Sequence, residues 1–310
     1  MLFSSVIGLI SFCILILFTL FSQNCIPETR EAVTMFLQTV LPTMFPFYVL
    51  SSIILSSCYL ERFCPPLNKF ISRIMNLPLC SISAILLGYL CGFPIGAKII
   101  CDLKKQNKIS ERDAIKLSSF TNNVGPIFMT TVIGGAYLGS TKSGFLIWIS
   151  VIIASFISGI LICNPKLNFR YFDNTLTSDI HENKINLSDA ILSGLNTVLY
   201  VGAVIIFFSS ITSLLKLLPG LTSLSYSFVY STLEITGGLK ALSTSFYCDN
   251  IIFKYMLIAL FSSWSGFCVH IQVCGILTAG KVKIRYYFLG KIIQTLLAPL
   301  ITFLIFGIFY

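Results

Sequence analysis

The stretch Gly88-Tyr-Leu-Cys-Gly-Phe-Pro-Ile-Gly-Ala-Lys98 decides how this chain is read. It fills the middle of an apolar run, 79–101, and a basic loop flanks that run on each side. Loop 59–78 sets Arg62, Lys69 and Arg73 against Glu61. Loop 102–116 sets Lys104, Lys105, Lys108, Arg112 and Lys116 against Asp102, Glu111 and Asp113. One crossing by 79–101 would put these loops on opposite faces of a bilayer, against the positive-inside rule. Gly92 lifts the side-chain constraint on the backbone and Pro94 cannot donate the helical hydrogen bond, so a break is expected there. A re-entrant hairpin, in by 79–90 and out by 95–101, returns both loops to one face. Backbone broken at membrane depth is tolerated only where it is buried in protein or lines a cavity. The break therefore marks a candidate site.

The rest of the chain fits this frame. Of 310 residues 55% are hydrophobic and 11% charged, where a soluble domain carries about 25% charged residues. Apolar segments recur at 2–21, 32–58, 79–101, 118–139, 144–163, 190–217, 222–246, 255–279 and 286–310, most near the roughly 20 residues that a spanning helix needs. The expected fold class is an all-α polytopic membrane protein. A β-barrel is excluded because the run from Val6 to Phe21 shows no alternation of polarity. A soluble enzyme, a secreted disulfide scaffold and a disordered chain are excluded by the same composition. Net charge is +9, but the basic residues flank membrane segments and form no nucleic-acid patch. With eleven cysteines, no CxxC pair and two histidines, neither a disulfide framework nor a metal site is expected. No nucleotide-binding, nucleophile-elbow or metalloprotease signature is present, so no enzyme is expected. The first apolar segment has neither the basic flank nor the cleavage site of a signal peptide and reads as a retained helix.

Four parts are expected: an N-terminal transmembrane helix over 1–31, a first repeat over 32–163, a polar linker over 164–189 and a second repeat over 190–310. Leu37-Gln-Thr-Val-Leu41 recurs as Leu195-Asn-Thr-Val-Leu199, and Cys91-Gly-Phe93 as Ser265-Gly-Phe267. Thr121–Pro126 then falls opposite Gln294–Pro299, one residue out of register. Duplication with broken helices is the mark of secondary transporters, whose solute sits near the midplane between the repeats. If 222–246 stops short of crossing, the second hairpin enters from the opposite face. If it spans, all three basic loops, the third being Lys281–Arg285, share the cytoplasmic face. Charge favours spanning and the repeat favours stopping short; inverted repeats are the expectation.

The candidate substrate-binding residues follow from the breaks. A half-helix beginning after Gly92 and Pro94 aims its unpaired N–H groups and positive end at the hairpin tip, and Lys98 adds a cation; together these suit an anionic group. Against this stands Lys98 snorkelling to the interface and pairing with Asp102. Asn122 and Asn123 lie beside Gly125 and Pro126, which should unwind the helix, and their amides can donate and accept toward a ring or carboxylate; the alternative is polar glue between helices. Ser110, with Asp113 three residues on, reads as a helix cap. Glu234 sits in an otherwise apolar segment, where a carboxylate is a functional hypothesis by default. It could carry a proton, pair with Lys240 or Lys98, or be solvated if the segment lies at the surface. Ser265, Gly266, His270 and Gln272 form the second hairpin, with Gln272 opposite Lys98, and Thr295 completes the set. A coupling ion, H+ or Na+, and a homo-oligomer are left open; no other cofactor is expected.

Gly88–Lys98, the charged connector and Phe120-Thr-Asn-Asn-Val-Gly-Pro-Ile-Phe128 together resemble the YlbJ-like sporulation integral membrane proteins. Leu233–Leu242, Ser265–Val273 and Arg285-Tyr-Tyr287 follow in the same order. The resemblance covers roughly 32–310 and implies a nucleoside-recognition (Gate) domain, as in ferrous-iron and concentrative nucleoside transport proteins. It further implies a transporter of endospore formers in the outer forespore membrane, with dipicolinic acid, the solute of a stage V sporulation relative, as leading substrate. A nucleoside-type solute and a non-transporting envelope assembly or sensor protein are the alternatives. A metal-ion permease lacks clustered ligands.

Overall fold

The computed structural model describes residues 2–57, 59–60, 70–71, 73–163, 186–217, 222–244 and 250–309. The expected linker falls outside these residues but for its last four, as do Glu61, Arg62 and Lys69. All regular structure among the described residues is helical, consistent with the all-α expectation. In chain order the helices are α1 (Leu2–Leu20), α2 (Ser22–Ser56), α3 (Ser81–Cys91), α4 (Ile95–Lys105), α5 (Glu111–Ser118), α6 (Phe128–Tyr137), α7 (Thr141–Cys163) and α8 (Leu187–Leu217). Then come α9 (Ser223–Leu233), α10 (Ile235–Thr244), α11 (Ile251–Trp264), α12 (Gly266–Ala279) and α13 (Arg285–Phe309).

Among the described residues five units are long and apolar enough to cross a membrane: α2, α7, α8, the α11–α12 stretch and most of α13. Apart from α1, which over Ser5–Leu20 is shorter, three of the nine apolar runs give no such unit for a physical reason. Runs 79–101 and 222–246 each divide into two short helices, and run 118–139 unwinds over 122–125 before resuming as the wide-turn helix α6. α2 also contains one wide turn, Phe36–Val40, just ahead of Pro42 and Pro46, where missing N–H groups favour such a bulge.

Several helix starts carry their own side-chain caps. The Ser110 hydroxyl accepts from Asp113 N at 3.1 Å while the Asp113 carboxylate accepts from Ser110 N at 3.2 Å, the reciprocal box expected from sequence. Asn186, Thr222 and Asn250 cap α8, α9 and α11 likewise. The starts of α4 and α10 lie deep in the bundle and are capped by Asn122 and Glu234.

Both short pairs are hairpins. A Cβ on Gly88 would sit 3.4 Å from Gly96 Cα across the first reversal. One on Gly238 would overlap the Ser231 backbone across the second. The second hairpin is thus 223–244, not 255–279. α9 lies 142 residues after α3 at both ends, and hairpin, interrupted helix and long helix follow in the same order. This corrects the sequence register. Cys91–Phe93 corresponds in position to Leu233–Ile235, both at hairpin tips, whereas Ser265–Phe267 belongs to the interruption between α11 and α12, opposite Asn123–Gly125. The interruption expected near Pro299 does not occur; α13 runs through it. In an apolar surround the other backbone groups have no partner outside the helix, so losing one N–H does not break it.

Two polar clusters mark the ends of the bundle. Lys104 Nζ donates to the Gly280 and Lys281 carbonyls at 3.2 and 2.6 Å. Lys116 Nζ donates to Asn76 O at 3.1 Å and Cys80 Sγ to Lys108 O at 3.0 Å. Residues 76–80, 104–108 and 280–281 therefore share one end. At the other, Lys216 bonds Glu28 at 2.5 Å and Lys240 pairs with Glu31. In position 280–285 is the counterpart of 138–140 and not of 102–116.

Candidate functional site

Each hairpin tip packs against the interruption that follows it. At the first, Gly92 adopts φ +81°, open to glycine at little cost, and its Cα side faces Gly125 so closely that a Cβ would lie 2.7 Å from Gly125 N. Phe93 N donates to Asn123 O at 2.8 Å. Asn122 Oδ1 accepts from Ala97 N at 2.7 Å. The positive end of α4 is thus neutralised by an amide from another segment. Asn123 Nδ2 donates to Phe120 O and Ser155 Oγ at 2.7 and 2.8 Å, and Trp148 Nε1 to Val124 O at 3.1 Å. α7 stitches this unwound stretch. In this conformation Asn122 and Asn123 hold the break rather than present their amides to a cavity, although Asn123 Oδ1 is buried with no protein partner. Pro126 opens the turn into α6, with Thr130 Oγ1 bonded to its carbonyl at 2.8 Å.

At the second tip Glu234 is extended (φ −133°, ψ 118°) and fully buried. Its two oxygens accept from Thr236 N at 2.8 Å and Gly237 N at 2.6 Å. A carboxylate on the start of α10 matches both the unpaired N–H groups and the dipole. Glu234 pairs with neither Lys240 nor Lys98, and it is not solvated. Gly266, at φ +77°, brings the α11–α12 interruption against this tip, 3.1 Å from Ile235 N were a Cβ present. Ser265, left-handed at φ +75°, receives Lys291 Nζ on its Oγ at 3.1 Å.

A crevice lies where the two tips and the two interruptions meet. Phe93, Gly125, Phe128, Thr236, Cys268 and Gln272 line it, and Val40 and Met44 of α2 close one side. Its volume is about 30 Å³, room for a water or two. Gln272 is buried, and neither its Oε1 nor its Nε2 has a protein partner. Most buried polar atoms are bonded, so an unbonded amide beside a crevice is the conspicuous polar feature of this wall. Wider recesses open toward each end. One, of about 540 Å³, carries Lys98, Lys104, Lys105 and Lys281 against Asp102. The other, of about 220 Å³, carries Glu28, Glu31, Tyr137, Tyr230 and Lys240 and reaches Glu234.

The remaining candidates separate. Lys98 lies in the basic recess, donating to Ser193 Oγ at 2.7 Å with Tyr48 beneath it, its ammonium 5.9 Å from the ring centre. Burial pushes the Asp102 carboxyl in the connector upward, against the pull of Lys98 and Lys105. His270 faces α13, with Nδ1 2.7 Å from Tyr287 Oη inside a cluster of Trp264, Phe267 and Phe288. Thr295 makes only a local bond to Lys291 O, whereas its neighbour Gln294 reaches across to Ser119 O at 2.8 Å. Lys291 is the residue that sequence reading passed over. A lone cation five turns from the far end of an apolar helix was the available signal.

Against known proteins the chain is 23% identical to the "Sporulation integral membrane protein YlbJ" of Bacillus subtilis (strain 168), over 91% of this chain and 78% of that protein. This chain is YlbJ-like. No family model and no solved structure matches it. The likeness, with the five long apolar helices, makes the YlbJ-like chain a multi-pass integral membrane protein with a role in sporulation.

Proposed function

We propose that this YlbJ-like protein is a secondary transporter that moves a small aromatic anion during spore formation, dipicolinate being the leading candidate, through the crevice between its two hairpins. The observation that carries the proposal is Gln272, whose buried amide has no protein partner where two hairpin tips and two helix interruptions converge. Discontinuous helices meeting between structural repeats are the usual setting of a transporter site. Each half runs as a long helix, a hairpin, an interrupted helix and a long helix, which makes three crossings. An odd number inverts the second half, so the hairpins enter from opposite faces. The Gate-type reading of both halves belongs to this same proposal. The end bearing Lys104, Lys105, Lys108, Lys281 and Lys283 is the cytoplasmic one by the positive-inside rule. In this reading the chain sits in the outer forespore membrane, with the basic recess facing the mother cell.

The chemistry of the path suits the solute. Lysines around the basic recess raise the local concentration of anions. Phe93 and Phe128 offer apolar faces to a ring, and the Gln272 amide can donate to a carboxylate and accept at a ring edge. A crevice of about 30 Å³ admits no ring, so loading requires a hairpin to swing off its interruption. Moving the first tip off its interruption frees Ala97 N from Asn122, whereas Glu234 travels with Thr236 and Gly237 in the second hairpin. One half-helix start, that of α4, becomes available to a carboxylate in this way. The test is uptake of labelled dipicolinate into proteoliposomes with uridine as competitor. Saturable uptake indifferent to uridine supports the proposal; uptake of uridine alone reassigns the solute. Absence of both with folded protein leaves an envelope assembly or sensor role.

A further inference from the structure

The first interruption is held by neutral groups, and the second is held by a charge. Lys291, buried in α13, donates from Nζ to Ser263 O and to Ser265 Oγ, both at 3.1 Å. Ser263 is one of the last residues of α11, whose final carbonyls lack helical partners and form the negative end of its dipole. Ser265 Oγ in turn donates to Ser262 O at 3.2 Å. Among the described residues no carboxylate lies within salt-bridge distance of Lys291. Its partners are a backbone carbonyl and a hydroxyl, the oxygen donors that a hard monovalent cation takes where a helix is interrupted in a membrane. A buried ammonium without a counter-ion is costly, and at the first interruption a neutral donor, Trp148, meets the Val124 carbonyl with a single bond.

We propose that the Lys291 ammonium is a tethered substitute for a bound monovalent cation at the second interruption, so that the protein carries its own cation there and its cycle needs no sodium. Removing the side chain back to Cβ then leaves a site for an external cation. The fragment deleted in Lys291→Ala is propylammonium. That variant should melt below the wild type, and propylammonium about tenfold above its Kd should restore roughly 3 °C. Propanol, which has the shape without the charge, should restore nothing, and the wild type and Lys291→Met should not respond. Equal rescue by propanol, or none by propylammonium or sodium, overturns the proposal. Should Lys291→Ala fail to fold, Lys291→Gln decides, since it keeps an N–H donor without charge. Melting at the wild-type temperature would show that charge is dispensable and would overturn the idea; a lowered melting temperature supports it. The sodium clause rests on the transport reading and has its own assay. Wild-type dipicolinate uptake should be unchanged when choline replaces sodium, and a several-fold fall would refute it. If nothing is transported, the transport reading fails while the melting experiments still judge the cation site.

Discussion

Replacing Gln272 with Met should make the protein more stable and less active. The two side chains are nearly equal in length and volume, so the wall of the crevice is preserved. What changes is the amide, whose two polar atoms are buried without protein partners. One such unsatisfied group costs about 1–3 kcal/mol. The adjoining space of about 30 Å³ can hold a water that bonds one of the two atoms, which leaves about one group's penalty to recover. Gln272→Met is therefore expected to gain about 1–3 kcal/mol, a rise in melting temperature of a few degrees. Detergent-purified protein followed by scanning calorimetry reads the first quantity, and proteoliposome uptake reads the second. Uptake should fall at least tenfold, because a solute carboxylate would face a thioether in place of an amide. If the variant melts below the wild type, the amide has partners that stabilise the fold. If uptake stays within twofold, Gln272 does not touch the solute.

Three further outcomes follow from the same geometry. Glu234→Gln keeps the shape but leaves only one acceptor for Thr236 N and Gly237 N; it should cost about 2–3 kcal/mol in chemical denaturation, against under ~0.5 kcal/mol for a solvated carboxylate. Gly96→Ala places a Cβ 2.5 Å from Thr121 O and 3.0 Å from Asn122 Oδ1; overpacking of about 1–3 kcal/mol and a shifted first hairpin should appear as lower melting temperature and slower uptake, while Gly8→Ala, with open space around it, should change neither. Lys240→Ala removes the Glu31 pair at the mouth of the acidic recess; exposed pairs contribute at most about 1 kcal/mol, so stability should hold while uptake kinetics and thiol labelling from that side accelerate.

Local sequence signals carried well where one residue type has one physical consequence. Gly92 and Pro94 ended α3 and began α4, Ser110 and Asp113 formed their reciprocal cap, and Gly125 and Pro126 unwound the chain. Pairing between the halves did not carry. Ser265-Gly-Phe267 looks like Cys91-Gly-Phe93 because Gly92 at a hairpin tip and Ser265 and Gly266 at a helix interruption all take the left-handed backbone. Short motifs record the backbone conformation and not the element that contains it. The tip that corresponds to Gly92 is Glu234, which looks nothing like it, because the start of α4 is capped by Asn122 from elsewhere and the start of α10 by its own preceding residue. Gln272 was legible as a polar residue among apolar ones, but its lack of partners needed coordinates. Lys291 stood out as a cation inside an apolar run, but its burial depends on α11 and α7 packing over it and needed coordinates.

The central claim is that the crevice opens alternately to each end of the bundle. Cys268 lines it, is fully buried and is a thiol. In protein whose other cysteines are replaced by serine, an impermeant thiol reagent is applied to oriented proteoliposomes from one face and then from the other. The account predicts labelling of Cys268 from both faces, slow in each case, and protection from both by saturating dipicolinate. Labelling from one face only, or from neither in protein that still melts cooperatively, would contradict it.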